Sequence, residues 1–237
     1  MLSSLQKIGR HDCALMTERI DVWLVSLNHP TPNHANQILA PDEQTRWRQF
    51  YFEKHQRRFA NARLQLREIL SHYLGVSAAT IEFNYNKQGK PFLKNNRDLL
   101  EFNLSHSSEL AILAIGQGLP LGVDVEFFSA RPYLGMAKQL FSPSEIQALH
   151  QLATHLQPLA FFHMWAQKEA FIKAVGLGLS YPTQQFSVPC LPPSTETLSD
   201  PIHHTTWTLR SFTPQLGCAA ALCHHPSVKT IRFLNAT

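Results

Sequence analysis

Hydrophobic and polar positions alternate along this chain in two rhythms, one of period two and one near 3.6, and the switches between them divide it into elements. Ile20 to Leu27 is a nearly continuous β-branched and apolar run, the pattern of a buried strand. Pro41-Asp42-Glu43 opens a helix, because proline fits the first turn and acids complement the positive end of the helix dipole. Trp47, Phe50 and Tyr51 follow at helical spacing. A second helix is predicted from Lys54 to Leu74, stopping at Gly75. Ile81, Phe83 and Tyr85 then alternate with Glu82, Asn84 and Asn86 as in a half-buried strand, and short strands follow at Glu101–Leu104 and Leu110–Ile115.

A turn at Gly116–Pro120 leads into a further strand, Leu121–Glu126. Ser142, Pro143 and Glu145 fit the N-cap, first turn and capping-box positions of a helix, with Phe141 and Ile146 as its apolar staple. Another helix is predicted over Pro158–Val175, closed by Gly176, and strands at Phe186–Val188, Trp207–Phe212 and Cys218–Leu222. Leu191–Pro201, rich in Pro, Ser and Thr, reads as an exposed loop. The order of strand, helices and strands thus occurs twice, with a seam near Leu119-Pro120. This predicts an α+β protein of two similar lobes, residues 1–118 and 119–237, with the active site in the cleft between them.

Composition narrows the class. Of 237 residues, 44% are hydrophobic and 16% are Asp, Glu, Lys or Arg, which excludes a disordered chain. No stretch approaches the roughly 18 apolar residues of a membrane span, and Met1 to Asp12 lacks the apolar run of a signal peptide. A cytoplasmic protein with no membrane partner is expected, its cysteines at 13, 190, 218 and 223 reduced. Cys218, Cys223, His224 and His225 suggest a metal cluster, but Cys218–Leu222 reads as a buried strand without structural-zinc spacing. The His203–His204 and His224–His225 pairs read as exposed loop residues.

Net charge is +4 but unevenly spread. Arg46, Arg48, Lys54, Arg57, Arg58, Arg63 and Arg67 face the single acid Glu53. Such an excess suits phosphates, an acidic protein or nucleic acid, and equally a solvated helix face.

Three segments concentrate candidate chemistry. In Leu121-Gly122-Val123-Asp124-Val125-Glu126, strand alternation sends the apolar residues to the core and Gly122, Asp124 and Glu126 to the other face. Two carboxylates on one face repel unless a cation neutralises them, which suits Mg²⁺, though paired acids also occur on half-exposed strand edges. In the helix, Trp165, Glu169 and Lys173 fall four apart and form one stripe, in which Glu169 and Lys173 could simply pair. Gly89-Lys90-Pro91, followed by Phe102-Asn103-Leu104-Ser105-His106-Ser107, supplies hydrogen-bond donors suited to a phosphate or nucleotide edge, or to ordinary turn chemistry. A serine–histidine hydrolase is disfavoured, because adjacent Ser105 and His106 alternate faces and no G-x-S-x-G elbow is present.

Together and in this order, these segments resemble the 4′-phosphopantetheinyl transferase superfamily, and the length resembles its two-lobed surfactin-activating (Sfp) type. LGVDVE is similar to that family's G-(V/I)-D-(V/I)-E signature, and WAQKEAFIKAVGLGL to its W-x-x-K-E-A/S-x-x-K motif with a Gly-x-Gly-Leu tail. GKP, FNLSHS and the helix carrying Arg58 and Arg67 match upstream parts of the pattern, so the resemblance runs from about Pro41 to Val188. It implies transfer of 4′-phosphopantetheine from coenzyme A to a serine of an acyl, polyketide or peptidyl carrier protein, of holo-[acyl-carrier-protein] synthase type. It also implies a monomer, since single-lobe relatives must associate to form the cleft. Asp124, Glu126 and Glu169 would surround Mg²⁺. Lys90, Pro91, Ser105 and His106 would contact the adenosine and its 3′-phosphate, and Arg46 and Arg58 would add to phosphate binding. Lys168 and Lys173 would lie beside the phosphates, Lys173 at the leaving group, with Glu169 or a water it holds as the base.

Two positions depart from the family pattern. Glu43 stands in a segment where members often carry further lysines, and Ser108 follows FNLSHS where glycine is common. Two rival readings use the same residues. A Mg²⁺-dependent hydrolase of coenzyme A or another nucleotide pyrophosphate would transfer to water. A nucleic-acid binder would use the Arg46–Arg67 region, but Trp47, Phe50 and Phe59 have core spacing, and that reading leaves the acidic motif unexplained.

Overall fold

The computed structural model describes residues 13–130 and 132–236, so the expectation for Met1 to Asp12 lies outside the described residues. β1 (Arg19–Ser26) is buried from Ile20 to Val25, as its apolar run requires. A single-turn helix α1 (Ala35–Ile38) precedes α2 (Pro41–Gln49) and α3 (Glu53–Leu74). Ala40 offers no capping side chain to α2, and Glu43 bends back to accept the Ala40 amide at 2.9 Å. α3 stops at Gly75, whose φ of 65° is the left-handed conformation a side chain resists. Its apolar face, including Leu66, Ile69 and Leu70, packs with Trp23 and Phe102.

β2 (Phe83–Tyr85) and β3 (Pro91–Leu93) form a small ribbon, and β4 (Leu100–Ser107) and β5 (Leu110–Gln117) form a long antiparallel hairpin. Ser108 turns that hairpin with a φ of 52°, the left-handed geometry that glycine adopts without strain. The second lobe contains β6 (Leu121–Phe127), α4 (Tyr133–Leu140), α5 (Pro143–Gln151) and α6 (Gln157–Val175), then β7 (Thr195–Ser199), β8 (Thr206–Phe212) and β9 (Cys218–His224), and β10 (Thr230–Asn235) follows. One sheet runs β10-β1-β5-β4 and the other β6-β9-β8-β7. The fold is α+β in two lobes. Among the described residues no helix is long and apolar enough to cross a membrane.

The lobes share a core. Ile20, Val22, Ile112 and Ala114 of the first sheet pack with Leu121, Val123, Val125 and Leu222 of the second. The apolar face expected for Leu121, Val123 and Val125 is this layer.

Several elements differ from the sequence reading. β10 pairs parallel with β1 in the first sheet, where Arg232 binds Asp21 at 2.6 Å, so β9 is the last strand along the chain that belongs to the second sheet. Phe186–Val188 is not a strand. Its polar backbone bonds to side chains instead: the Phe186 carbonyl accepts from Lys168 at 2.8 Å, and the Val188 amide donates to Glu145 at 2.8 Å. The expected loop 191–201 contains β7, because Leu198 finds a place in the core beside Trp207. His224 is not an exposed loop residue but a buried end of β9, its Nδ1 against the His225 carbonyl.

Candidate active site

β4 and β6 are the facing edge strands of the two sheets, and among the described residues no backbone ladder joins them. Side chains of β4 replace the ladder. Asn103 Oδ1 accepts the Val123 amide at 2.8 Å, and Ser107 Oγ accepts the Phe127 amide at 3.1 Å. The same strand addresses the carboxylates: Ser105 Oγ donates to Asp124 Oδ1 at 2.7 Å and Ser107 Oγ to Glu126 Oε2 at 3.2 Å.

α6 closes on β6 from the other side, and Gly122 permits the approach. A Cβ at that position would run into the Ala170 carbonyl oxygen and the Ala174 amide. At this distance the four-residue stripe of the helix meets the alternating face of the strand. Trp165 Nε1 donates to Glu126 Oε1 at 3.1 Å. Lys173 Nζ donates to Asp124 Oδ1 at 2.6 Å and to Ser105 Oγ at 3.0 Å. Lys173 therefore pairs with Asp124 on β6 and not along its own helix with Glu169.

Glu169 sits between those two contacts. Burial and the negative charges of Asp124 and Glu126 push its pKa up to about 7, against the opposing pull of Lys173. Asp124 Oδ2 is buried and has no hydrogen-bond partner. Among the described residues no three His, Cys, Asp or Glu side chains gather closely enough to enclose a metal by themselves.

A cavity of about 680 Å³ opens here, lined from one lobe by Gly89, Lys90, Pro91, Asn103 and Leu104 and from the other by Glu169, Ile172 and Lys173. That is within the range of small-molecule and cofactor sites. Asn86 organises its N-terminal wall: Oδ1 accepts the amides of Gln88 at 3.0 Å and Lys90 at 2.8 Å, while Nδ2 donates to the Gly176 carbonyl at 3.2 Å. Lys90 Nζ reaches the carbonyls of Lys173 at 2.7 Å and Leu121 at 3.0 Å. Its ammonium thus ties the turn to the C-terminal end of α6, where carbonyls attract a cation. Burial lowers its pKa to about 8.

The far end of the seam is positive. His106 is held below its usual range by desolvation and by Lys173, Arg58 and Arg46, with Asp124 opposing. Arg58 Nη2 lies 2.7 Å from Glu109 Oε1 at the turn after β4, and Arg46 is exposed with its guanidinium 5.6 Å from the Phe59 ring.

Comparison with known proteins places these features in a family. Residues 28–117 match the family described as "4'-phosphopantetheinyl transferase, N-terminal", and residues 120–223 match the "4'-phosphopantetheinyl transferase superfamily". The 4'-phosphopantetheinyl transferase HetI of Nostoc sp. is 32% identical over 213 residues, 88% of each chain. The chain belongs to the 4′-phosphopantetheinyl transferase superfamily. The enzyme Sfp of Bacillus subtilis is 28% identical over 86% of this chain and 92% of its own. A human L-aminoadipate-semialdehyde dehydrogenase-phosphopantetheinyl transferase is 28% identical over 69% of this chain and 58% of its own.

Within this superfamily member, the fold brings together Ser105, Asp124, Glu126, Glu169 and Lys173, with Lys90 and Pro91 on the cleft wall and His106, Arg46 and Arg58 at one end. Lys168 does not join them. Its side chain is fully buried, with Nζ 2.9 Å from Glu145 Oε2 and hydrogen-bonded to the carbonyls of Thr183 and Phe186. Its neighbour Glu169 points to the cleft, and one residue along a helix turns a side chain by about 100°, which sends Lys168 into the lobe.

Glu43 also has a structural role: it is buried and binds Arg63 at 2.5 Å and Arg67 at 2.6 Å. Two arginines of the basic helix are therefore interior. Asn86, Asn103 and Trp165 were not assigned to the site from sequence, since Gly176, Val123 and Glu126, which they bind, lie on other elements far along the chain. Asn103 was legible only as one of several polar residues in the Phe102–Ser107 segment.

Proposed function

We propose that this chain transfers the 4′-phosphopantetheine group of coenzyme A to a serine of an acyl, polyketide or peptidyl carrier protein, releasing 3′,5′-ADP, with Mg²⁺. The observation that carries this reading is the seam itself. Asp124, Glu169 and Lys173 converge where β4, β6 and α6 meet, and Glu169 and Lys173 line a cleft of about 680 Å³ walled by both lobes.

The residues present fit Mg²⁺. Asp124 Oδ2 is a buried carboxylate oxygen without a partner, and Glu169 lies near enough to feel the charges of both Asp124 and Glu126. Mg²⁺ is commonly held by one or two carboxylates together with phosphate oxygens and water, so a closed protein cage is not required. Asp124 would be the principal holder, with Glu126 and Glu169 beside it directly or through water. Bound there, the cation would neutralise charge developing on the phosphate oxygens.

In the reaction, the serine oxygen forms a bond to the phosphorus on the pantetheine side as the bond to the 3′,5′-ADP oxygen breaks. Glu169, or a water it orients, receives the serine proton, and a carboxyl titrating near neutrality is matched to that task. Lys173, held against Asp124 by charge and against Ser105 by a hydrogen bond, supplies positive charge or a proton to the departing phosphate oxygen. The Gly89–Pro91 turn borders the adenosine side, with His106, Arg46 and Arg58 available to its phosphates. The two lobes of one chain complete the cleft, which supports a monomer, and free thiols at Cys190, Cys218 and Cys223 are consistent with a cytoplasmic location.

Intact-protein mass spectrometry tests the reading: an apo acyl carrier protein is incubated with the enzyme, coenzyme A and Mg²⁺, beside an EDTA control. A gain of one phosphopantetheine, lost with EDTA and lost in Asp124→Ala and Glu169→Ala, is expected. Coenzyme A consumed with no gain on any carrier would instead assign a hydrolase. Full activity of Asp124→Ala would remove the metal assignment.

A further inference from the structure

The connection between α2 and α3 carries the two most exposed aromatic side chains among the described residues. Tyr51 is 90% and Phe52 57% exposed, their rings perpendicular and 5.0 Å apart. Phe50, next to them, turns inward against Phe59 at 5.4 Å, so the outward pair is not the by-product of a corner that lacks an interior. Adjacent exposed rings of this kind mark contact surfaces.

The charges around them are sorted. Arg63 and Arg67 are withdrawn to Glu43, and Arg57 and Arg58 share Glu109. Arg46, Arg48 and Lys54 remain exposed along this stretch, with the exposed acid Glu53 among them, and Lys54 Nζ lies 5.9 Å from the centre of Phe52. The patch also borders the active site: Arg57 and Arg58 at the start of α3 bind Glu109, two residues beyond the Ser107 that holds Glu126.

We propose that Tyr51 and Phe52, rimmed by Arg48 and Lys54, dock the acidic face of the protein that brings the acceptor serine. The proposal rests on the transfer reaction above. Aromatic anchors within a charged rim are the usual composition of a protein contact, and positive charge steers an acidic partner to it. A nucleic acid fits less well. Its affinity depends on neutralising several phosphates, whereas Arg57, Arg58, Arg63 and Arg67 of this region already pair with Glu109 and Glu43. The rings also pack edge to face and do not form an open stacking platform.

Two variants test this, Tyr51→Ala/Phe52→Ser and Arg48→Glu/Lys54→Glu, none of these residues belonging to the proposed catalytic or coenzyme-binding set. Each should raise KM for an apo acyl carrier protein by about tenfold or more, the loss of one good anchor. KM for coenzyme A and the thermal midpoint should stay as in the wild type. The charge variant should also lose the wild-type sensitivity of carrier KM to salt. If the wild type transfers while both variants keep its carrier KM, the docking surface is wrong and the transfer reading stands. If the wild type modifies no carrier, the transfer reading fails and the docking proposal falls with it. Binding of a single-stranded oligonucleotide that both variants abolish, with carrier KM unchanged, would assign the patch to nucleic acid.

Discussion

Asn103 of β4 accepts the Val123 amide of β6 at 2.8 Å. In a continuous sheet a backbone carbonyl would receive that amide. The longer side chain keeps the two edge strands adjacent without closing them into a ladder, and the next residue along, Asp124, is delivered to the cleft with Ser105 and Lys173 on its Oδ1. The join between the lobes and the position of the proposed catalytic carboxylate are one structural feature.

Asn103→Ala should therefore act on both. It leaves the buried Val123 amide without an acceptor, a loss of about 1–3 kcal/mol, readable by urea denaturation. Transfer should fall further than stability, because Asp124 loses its neighbouring anchor. Asn103→Asp keeps an acceptor oxygen and should recover more of the stability than Asn103→Ala.

Glu169 should impose a pH dependence of known sign. Its folded pKa of about 7 lies above the ordinary 4.5, so the folded state binds the proton more tightly than the unfolded chain. Its contribution to stability is then present below the unfolded value and is lost as pH rises through the folded one. Thermal midpoints measured across that window should decline with pH more steeply in the wild type than in Glu169→Gln. Transfer should move the other way, rising as the carboxylate forms, and this limb should vanish in the variant. Equal pH profiles for the two proteins would remove Glu169 as the titrating group.

Gly122→Ala should destabilise strongly. The added methyl meets backbone atoms of α6 at Ala170 and Ala174, which no rotamer change can move aside. Overpacking of this kind costs about 1–3 kcal/mol, and separation of α6 from β6 should also break the Lys173–Asp124 contact. A lower thermal midpoint together with a loss of kcat is expected; a variant with wild-type stability would contradict the packing described.

Lys168→Ala should behave as a core mutation and not as the loss of a phosphate ligand. It leaves Glu145 buried without its cation, a loss of about 3–5 kcal/mol. In Lys168→Met/Glu145→Gln the uncompensated charge is removed, and stability should return in part. KM for coenzyme A should change little in either protein. A selective rise in that KM, with stability intact, would restore the phosphate role that the motif suggested.

Local pattern was sufficient wherever the partner was close along the chain. The limits of α3 and α6, the glycines that stop them, the capping box at Ser142 and Glu145, and the single face shared by Gly122, Asp124 and Glu126 follow from spacing, propensity and backbone freedom. The stripe of Trp165, Glu169 and Lys173 was equally visible, as was the likeness of its motif to the superfamily. What lay beyond the sequence were choices between competing partners. Lys173 could have paired with Glu169 four residues away and pairs with Asp124 on another element. The basic helix reads as one positive face, yet Glu43 draws Arg63 and Arg67 inside. Lys168 and Glu169 are adjacent in one motif and end on opposite sides of a helix wall. β10 carries no local sign that it belongs to the first sheet, because its parallel partner β1 is some two hundred residues away. Periodicity reports which side of an element is apolar; only the packed lobes determine which charge or carbonyl stands opposite it.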